Sequence, residues 1–361
     1  MTNRLIIIQP AIPSYRVPLF ERLSKLHNLK VIAAKEDFLG VKSILGLHFS
    51  TYCSGFFAFL GAFYWLRGLP LLKEYSKGDI VVLNGNPRIL NFMILFVLLR
   101  LRGITTVWWG HGWTANSFGV ASKVRLFIMR HLPSARLLYT DDEVNRLGLD
   151  NTFALNNGLD SESIRNAISK VDPHTTTSSS GKLHLVFIGR LTKKSNVSLI
   201  LDALKLLDNR FHLDVIGDGE ELQELVNSAN LRGIDSRITW HGRVYNEDQI
   251  AKVMLGSHYF IYPGSVGLSL IHAFNYSLPA ILPEDKKKHM PEFAAFKEGY
   301  NGFSYIDNPH ALAELLNKIY NKSIEEHEVL KRNAFETIEN TYNLEDMVKR
   351  FDMLVRSLSC R

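Results

Sequence analysis

Cysteine is nearly absent: Cys53 and Cys360 are the only two in 361 residues. Two thiols cannot build a disulfide framework or a cysteine-rich zinc site, and their scarcity suits a reducing compartment, most simply the cytoplasm. Proline is sparse, with 12 residues beside 24 glycines, which excludes collagen-like and low-complexity architectures. Long apolar runs are missing too. The greasy stretches 56–66 and 89–99 end at Arg67 and Arg100, short of the roughly 18 apolar residues that span a bilayer. The opening apolar run 5–8 is cut by Pro10, so no signal peptide is expected.

What is present is an ordinary globular composition, 46% hydrophobic and 22% charged, which excludes a disordered chain. At roughly 100–200 residues per domain, the length gives about two domains. The net charge of +6 suits an anionic ligand, a nucleic acid or an anionic membrane surface and does not choose between them. The two greasy stretches read as core helices of an α/β domain. They also fit helices lying on a membrane surface, with Arg67, Lys73, Arg100 and Arg102 near lipid phosphates.

Short apolar runs alternate with helical stretches. LIIIQ (5–9), LKVIAA (29–34), DIVVLN (79–84), TTVWWG (105–110), ARLLYT (135–140) and NTFALN (151–156) read as buried parallel strands. The polar tract VDPHTTTSSSGK (171–182) has no apolar period and reads as a linker. The alternation restarts after it, with strands at 182–190, 211–217, 237–242, 258–264 and 278–283. The expectation is an α/β chain of two doubly wound parallel-sheet domains, 1–170 and 183–341. The tail 342–361 carries a helix expected to pack back on the first domain. Ligands of such sheets bind outside the strands' carboxyl ends, so residues just after strands are the candidates.

In the second domain, Gly189 opens a loop with Arg190, Lys193 and Lys194, a cation set that matches a diphosphate or is a solvated basic loop. Gly217 lies in a strand–turn–helix of a common kind. Gly242, Arg243 and Val244 follow another strand and could meet a flat base. In YPGSVGLSLIHAF (262–274), Gly264, Ser265 and Gly267 form a loop, and Gly267, Leu268 and Ser269 start a helix whose free N–H groups favour an anion. His272 faces a ligand or packs; Glu292 accepts sugar hydroxyls or caps a helix dipole. In the first domain, WWGHGW (108–113) leaves His111 between glycines as a catalytic or sugar-contacting group, with tryptophans, Trp113 among them, that stack on sugars or fill core. Tyr15, Arg16, Asn86 and Arg88 sit at further strand ends as acceptor-side candidates.

The ordered set PSYRVPLF, WGHG, NNGLD, IGRL, VIGDG, PGSVGLSLIHAF and SLPAI resembles the retaining glycosyltransferases of family 4, in the branch that makes bacterial surface polysaccharides. The resemblance implies the GT-B fold, two Rossmann-like domains facing across a cleft. It implies a nucleotide-diphosphate sugar as donor and a glycan or lipid-linked acceptor. No cofactor or metal is expected, because the loop cations can neutralise the diphosphate and no Asp-x-Asp sits at a strand end. It gives Arg190 and a lysine of its loop, together with the amides of Gly267, Leu268 and Ser269, to the diphosphate. The segment 242–244 goes to the base, His111 to the transferred sugar and Glu292 to the donor sugar; Trp113 remains an acceptor-side candidate from the WWGHGW reading. The chain departs from the family where Ser195 and Asn196 replace a Lys-Gly pair, so Lys193 or Lys194 must serve instead. It departs again where Gly264 and His272 replace two glutamates. A cytoplasmic enzyme with peripheral contact to the inner membrane is expected. A sugar-nucleotide epimerase and a non-catalytic nucleotide-sugar-binding subunit are the alternatives. Nucleic acid is not expected, because the cations sit at loop ends rather than in a stripe.

Overall fold

The computed structural model describes residues 4–111, 120–172 and 181–359. The chain divides into two compact units, one of Met1–Asn157 with Leu344–Arg361, the other of Gly158–Asn343.

The first unit runs β1 (Arg4–Ile8), α1 (Val17–Leu26), β2 (Asn28–Ala34), β3 (Ser50–Cys53), β4 (Phe56–Phe59), β5 (Phe63–Leu66), β6 (Ile80–Asn84), α2 (Leu90–Leu101), β7 (Thr105–Trp109), α3 (Val120–His131), β8 (Ala135–Leu138), α4 (Asp141–Leu147) and β9 (Thr152–Ala154). Seven strands form a parallel sheet in the order β3-β2-β1-β6-β7-β8-β9. The apolar run of β1 explains its central place. Leu5 and Ile7 enter the core on one face, and Ile6 and Ile8 the core on the other, so both faces are covered.

The stretch 56–66 corrects the helical expectation. It is an antiparallel hairpin, β4 against β5, from Phe56 opposite Leu66 to Phe59 opposite Phe63. Leu60 and Gly61 turn the chain with positive φ of 50° and 63°. The aromatic residues in the two flanking strands favour the pleated state. The side-chain amide of the buried Asn91 donates to Leu66 O at 2.9 Å and accepts from Leu66 N at 3.2 Å, as a neighbouring strand would. The second greasy stretch is the helix α2, with Phe92, Leu95, Phe96 and Leu99 buried at helical spacing.

The second unit runs α5 (Ser161–Ile168), β10 (Leu183–Ile188), α6 (Ser198–Lys205), β11 (Phe211–Ile216), α7 (Leu222–Leu231), β12 (Ile238–Gly242), α8 (Glu247–Leu255), β13 (Tyr259–Ile261), α9 (Leu268–Asn275), β14 (Ala280–Pro283), β15 (Gly302–Tyr305), α10 (Pro309–Tyr320) and α11 (Ile324–Asn340). Its six-stranded parallel sheet has the order β12-β11-β10-β13-β14-β15. The last helix, α12 (Leu344–Ser359), belongs to the first unit. Its Leu344, Met347, Phe351, Leu354, Val355 and Leu358 enter the core that contains Leu5 and Ile7.

The division at Asn157 falls ahead of the polar tract. Ile164, Ala167 and Val171 pack into the second unit's core, which draws α5 into that unit. Residues 173–180 of the tract lie outside the described residues. Among the described residues, no helix is long and apolar enough to cross a membrane.

Candidate functional site

In the second unit, the turns after β10, β11 and β13 pack on one another through backbone. Gly189 N donates to Ile216 O at 3.0 Å, and Gly217 N donates to Gly242 O at 2.8 Å. A Cβ on Gly217 would lie 1.9 Å from the Gly189 carbonyl oxygen. A Cβ on Gly264 would lie equally close, 1.9 Å, to the Lys194 carbonyl oxygen, which also accepts from Ser265 N at 3.1 Å. These two glycines let the chain approach its own backbone. The consequence is that the basic loop and the glycine loop before α9 are fastened together.

The basic loop is rigid at its base and open at its tip. The buried Ser195 hydroxyl donates to Thr192 O at 2.7 Å and accepts from Thr192 N at 3.1 Å. Asn196 holds a left-handed φ of 52°, a conformation that asparagine tolerates. Arg190, Lys193 and Lys194 are exposed. Tyr262 stands behind the loop; burial raises its hydroxyl pKa, against the opposing pull of the Arg190 charge. Cations held on a fixed turn can neutralise an anion without reorganising.

Gly267 is the N-cap of α9 and gives no side-chain cap, so the first amides of the helix, at Leu268 and Ser269, receive no cap from their own N-cap residue. The segment after β14 folds against this end. Met290 N donates to Val266 O at 2.9 Å, and Val266 N donates to His289 Nδ1 at 3.4 Å. Glu292 is buried, with Oε2 3.5 Å from where a Cβ on Gly267 would stand. A carboxylate beside a helix N-terminus is stabilised there and remains an acceptor for hydroxyls.

Two donor candidates are engaged by acids that sequence reasoning missed. His272 Nε2 lies 2.7 Å from Glu247 Oε1, and the Tyr276 hydroxyl donates to the same oxygen at 2.5 Å. Burial pushes the Glu247 carboxyl up, but these partners hold it below its ordinary range. Glu247 opens α8, so the contact is a tertiary pairing of two helices with no local sequence sign. Arg243 is paired with Asp218 at 2.8 Å. Val244 packs against the core.

In the first unit, His111 Nδ1 lies 3.2 Å from Oε1 of the buried Glu143. Glu143 Oε2 accepts from Tyr139 N at 2.8 Å, and its own amide donates to Thr140 Oγ1 at 3.2 Å. A carboxylate only accepts, so Nδ1 carries the proton of this contact. Thr140 and Glu143 form half of a capping-box pattern, which was readable. Tyr139 packs on the His111 ring at 4.5 Å and helps line a cleft of about 160 Å³ with Tyr15, Arg16 and Trp109. Arg16 donates to Asn157 Oδ1 at 2.9 Å and lies 5.0 Å from the Trp109 ring centre.

Other acceptor candidates have structural partners. Arg88 donates to Ala62 O at 2.6 Å and to the Tyr64 hydroxyl at 3.2 Å, which braces the hairpin. Asn86 Oδ1 accepts from Arg88 N at 3.1 Å and forms a local turn. Trp108 and Trp109 are core residues, which removes them as open stacking platforms. Trp113 lies outside the described residues.

Residues 171–337 match the family model described as glycosyl transferases group 1. A comparison with curated proteins finds no match. Solved structures repeat the fold along nearly the whole chain. A glycosyltransferase from Rickettsia africae has a TM-score of 0.71 at 12% identity, over 99% of this chain and 98% of that one. HepE from Anabaena, in complex with UDP, has 0.71 at 12% identity, over 98% and 100%. WaaB, a lipopolysaccharide outer core galactosyltransferase, has 0.65 at 14% identity, over 98% and 99%. The two parallel-sheet units are those of the GT-B glycosyltransferase fold.

Proposed function

We propose that the protein is a retaining glycosyltransferase of family 4. It moves a sugar from a nucleotide-diphosphate sugar to a hydroxyl of a glycan or lipid-linked acceptor in bacterial surface-polysaccharide synthesis. The observation that carries this reading is the Lys194 O–Ser265 N bond, which fastens the exposed Arg190–Lys194 cations to the loop that leads to the uncapped start of α9. Both are anion-binding features, and the segment that holds them matches the glycosyl transferases group 1 model.

In this reading, Arg190, Lys193, Lys194 and the amides of Leu268 and Ser269 take the diphosphate. They stabilise its charge as the bond from the anomeric carbon to phosphate breaks. The acceptor oxygen bonds to that carbon on the same face, and its proton leaves with the departing phosphate. Glu292 accepts a donor-sugar hydroxyl, and the segment 242–244 lies at the base. His111, held by Glu143, contacts the reacting sugar, and the cleft at Tyr15 and Arg16 takes the acceptor. These cations neutralise the diphosphate, so the reading needs no metal there.

Peripheral membrane contact belongs to the same proposal. The hairpin exposes Phe57, Leu60 and Phe63, and the exposed Arg67 follows its second strand. Aromatic and apolar side chains at headgroup depth with flanking cations suit an anionic leaflet that holds a lipid-linked acceptor.

The test is purified protein with a panel of nucleotide sugars, UDP-sugars first, and lipid-linked acceptor extract. Acceptor-dependent nucleotide release with a product of unchanged anomeric configuration supports the reading. Interconversion of donor alone replaces it with an epimerase. Tight donor binding without turnover replaces it with a binding subunit, a reading favoured by Gly264, where the backbone leaves no room for a carboxylate.

A further inference from the structure

A face of the second unit's sheet carries a polar stripe unrelated to the donor loops. His212 and Asp214 stand two residues apart on β11 and so share a face. His184 of β10 is the register partner of His212, and Thr239 of β12 is that of Asp214. A register shift between Val215 and Ile216 leaves His241 as an extra residue on β12, and its Nε2 reaches Asp214 Oδ1 at 2.8 Å. Parallel sheets covered on both faces ordinarily present aliphatic side chains there. Three imidazoles around one carboxylate are an anomaly in such a place.

The geometry is that of a ligand set. His184 Nδ1 is 3.8 Å from Asp214 Oδ2, and His212 Nε2 is 3.9 Å from the same oxygen. One donor atom from each of the three residues lies within 4.8 Å of the others. Metal–ligand bonds of about 2.0–2.2 Å at tetrahedral angles separate donors by about 3.4 Å, so small side-chain rotations close the set. Their side chains are 21%, 17% and 15% exposed, half-buried but reachable from solvent. The His241 contact fixes Asp214 through its other oxygen, as a supporting hydrogen bond does for a ligating carboxylate. His258 Nδ1 accepts from the His184 amide at 3.0 Å and steadies that strand. The Thr239 hydroxyl, 2.9 Å from His212 Nε2, is the contact a metal would displace.

We propose that His184, His212 and Asp214 form a binding site for a divalent transition-metal ion, with zinc the metal to test, that ties β10 to β11 and stabilises the second unit. Two imidazole nitrogens and one carboxylate oxygen suit zinc, cobalt or nickel, whereas magnesium and calcium prefer all-oxygen sets. Three protein ligands leave a fourth position for water. The site lies near the start of β10 and on the body of β11, away from the turn at Gly189, and is independent of the proposed transfer reaction.

The full-length, untagged chain, stripped with EDTA and desalted, is titrated with zinc chloride by calorimetry and thermal unfolding. Cobalt serves as a visible-absorption probe of four-coordinate geometry. One zinc per chain, a raised Tm and a four-coordinate cobalt spectrum are expected. His212→Gln and Asp214→Asn should each weaken binding at least about tenfold, while His131→Gln in the first unit leaves it intact. If Asp214→Asn lowers the metal-free Tm, His184→Gln and His212→Gln carry the comparison. Absence of stoichiometric zinc binding, or equal binding by every variant, overturns the proposal and leaves a metal-free hydrogen-bonded network.

Discussion

The Lys194 carbonyl accepts from the Ser265 amide at 3.1 Å, and the missing side chain at Gly264 is what permits it. Gly264→Ala places a methyl 1.9 Å from that oxygen, and backbone oxygen cannot rotate away. Overpacking of this kind costs about 1–3 kcal/mol. We expect a lower Tm and weaker nucleotide binding together, read by thermal unfolding and calorimetry. Donor affinity unchanged from wild type would separate the two loops in function.

Arg190 is exposed, and among the described residues it forms no ion pair. Arg190→Ala should therefore leave the fold and Tm unaltered. It should weaken donor binding and lower kcat/KM by about 10²–10³, as removal of one preorganised anion contact does. Arg190→Lys should recover part of the loss, since charge is kept and the planar fork is not. Kinetics of Arg190→Ala equal to wild type would remove the diphosphate assignment.

Glu143 spends its two oxygens on different donors, His111 Nδ1 and Tyr139 N. A glutamine side chain at this position offers one acceptor oxygen and one NH₂ group, so one of these contacts is lost. Glu143→Gln should lower kcat about 10–100-fold, by analogy with the partners that orient metal-bound histidines, with KM for donor little changed. His111→Ala should lower kcat at least as far. A rise in donor KM without loss of kcat would make Glu143 a purely structural residue.

The parallel strands were legible because β1, β6 and β10 are short apolar runs bounded by turns, a pattern that few other states satisfy. The same rule misread residues 56–66. An apolar run without a polar face carries no period; the aromatic content of the run and the glycine at Gly61 were the local signs against a helix. Strand-end positions of Arg190 and Gly264 were legible for the same reason as the strands. Contacts between distant segments were not. Glu247 meets His272 across two helices, and, elsewhere in the second unit, His184 meets His212 through strand register. The close approach of Gly217 and Gly264 to the carbonyls of Gly189 and Lys194 was not legible either, since it too joins separate loops.

Leu60 is 86% exposed at the tip of the aromatic hairpin, where its side chain contributes nothing to the core. Leu60→Asp should leave Tm and turnover with a soluble acceptor unchanged. It should reduce sedimentation with anionic vesicles several-fold, since burial of one leucine in the interface is exchanged for repulsion by lipid phosphate. Equal vesicle binding by wild type and Leu60→Asp at low salt would place any membrane contact elsewhere.

His289 links acidity to the loop that precedes α9. Its Nδ1 accepts from Val266 N at 3.4 Å, and its Nε2 donates to Pro283 O at 2.8 Å, so the ring must be neutral. Burial is the main reason its pKa is lowered from the ordinary histidine value; the Pro283 carbonyl and nearby carboxylates oppose this. Because the folded value lies below the unfolded one, the unfolded chain binds the proton more readily. The contribution to stability is complete above the unfolded pKa of about 6.5 and is lost as pH falls through the lowered folded value. Protonation at Nδ1 removes the acceptor for Val266 N, two residues from Gly264, and so loosens the approach to α9. Nucleotide affinity and Tm should therefore decline together below about pH 6.5. In His289→Asn, the amide oxygen can still accept, so both should be lower at about pH 7.5 but flatter with pH than in wild type. Parallel pH profiles for the two proteins would assign the acid sensitivity to other groups.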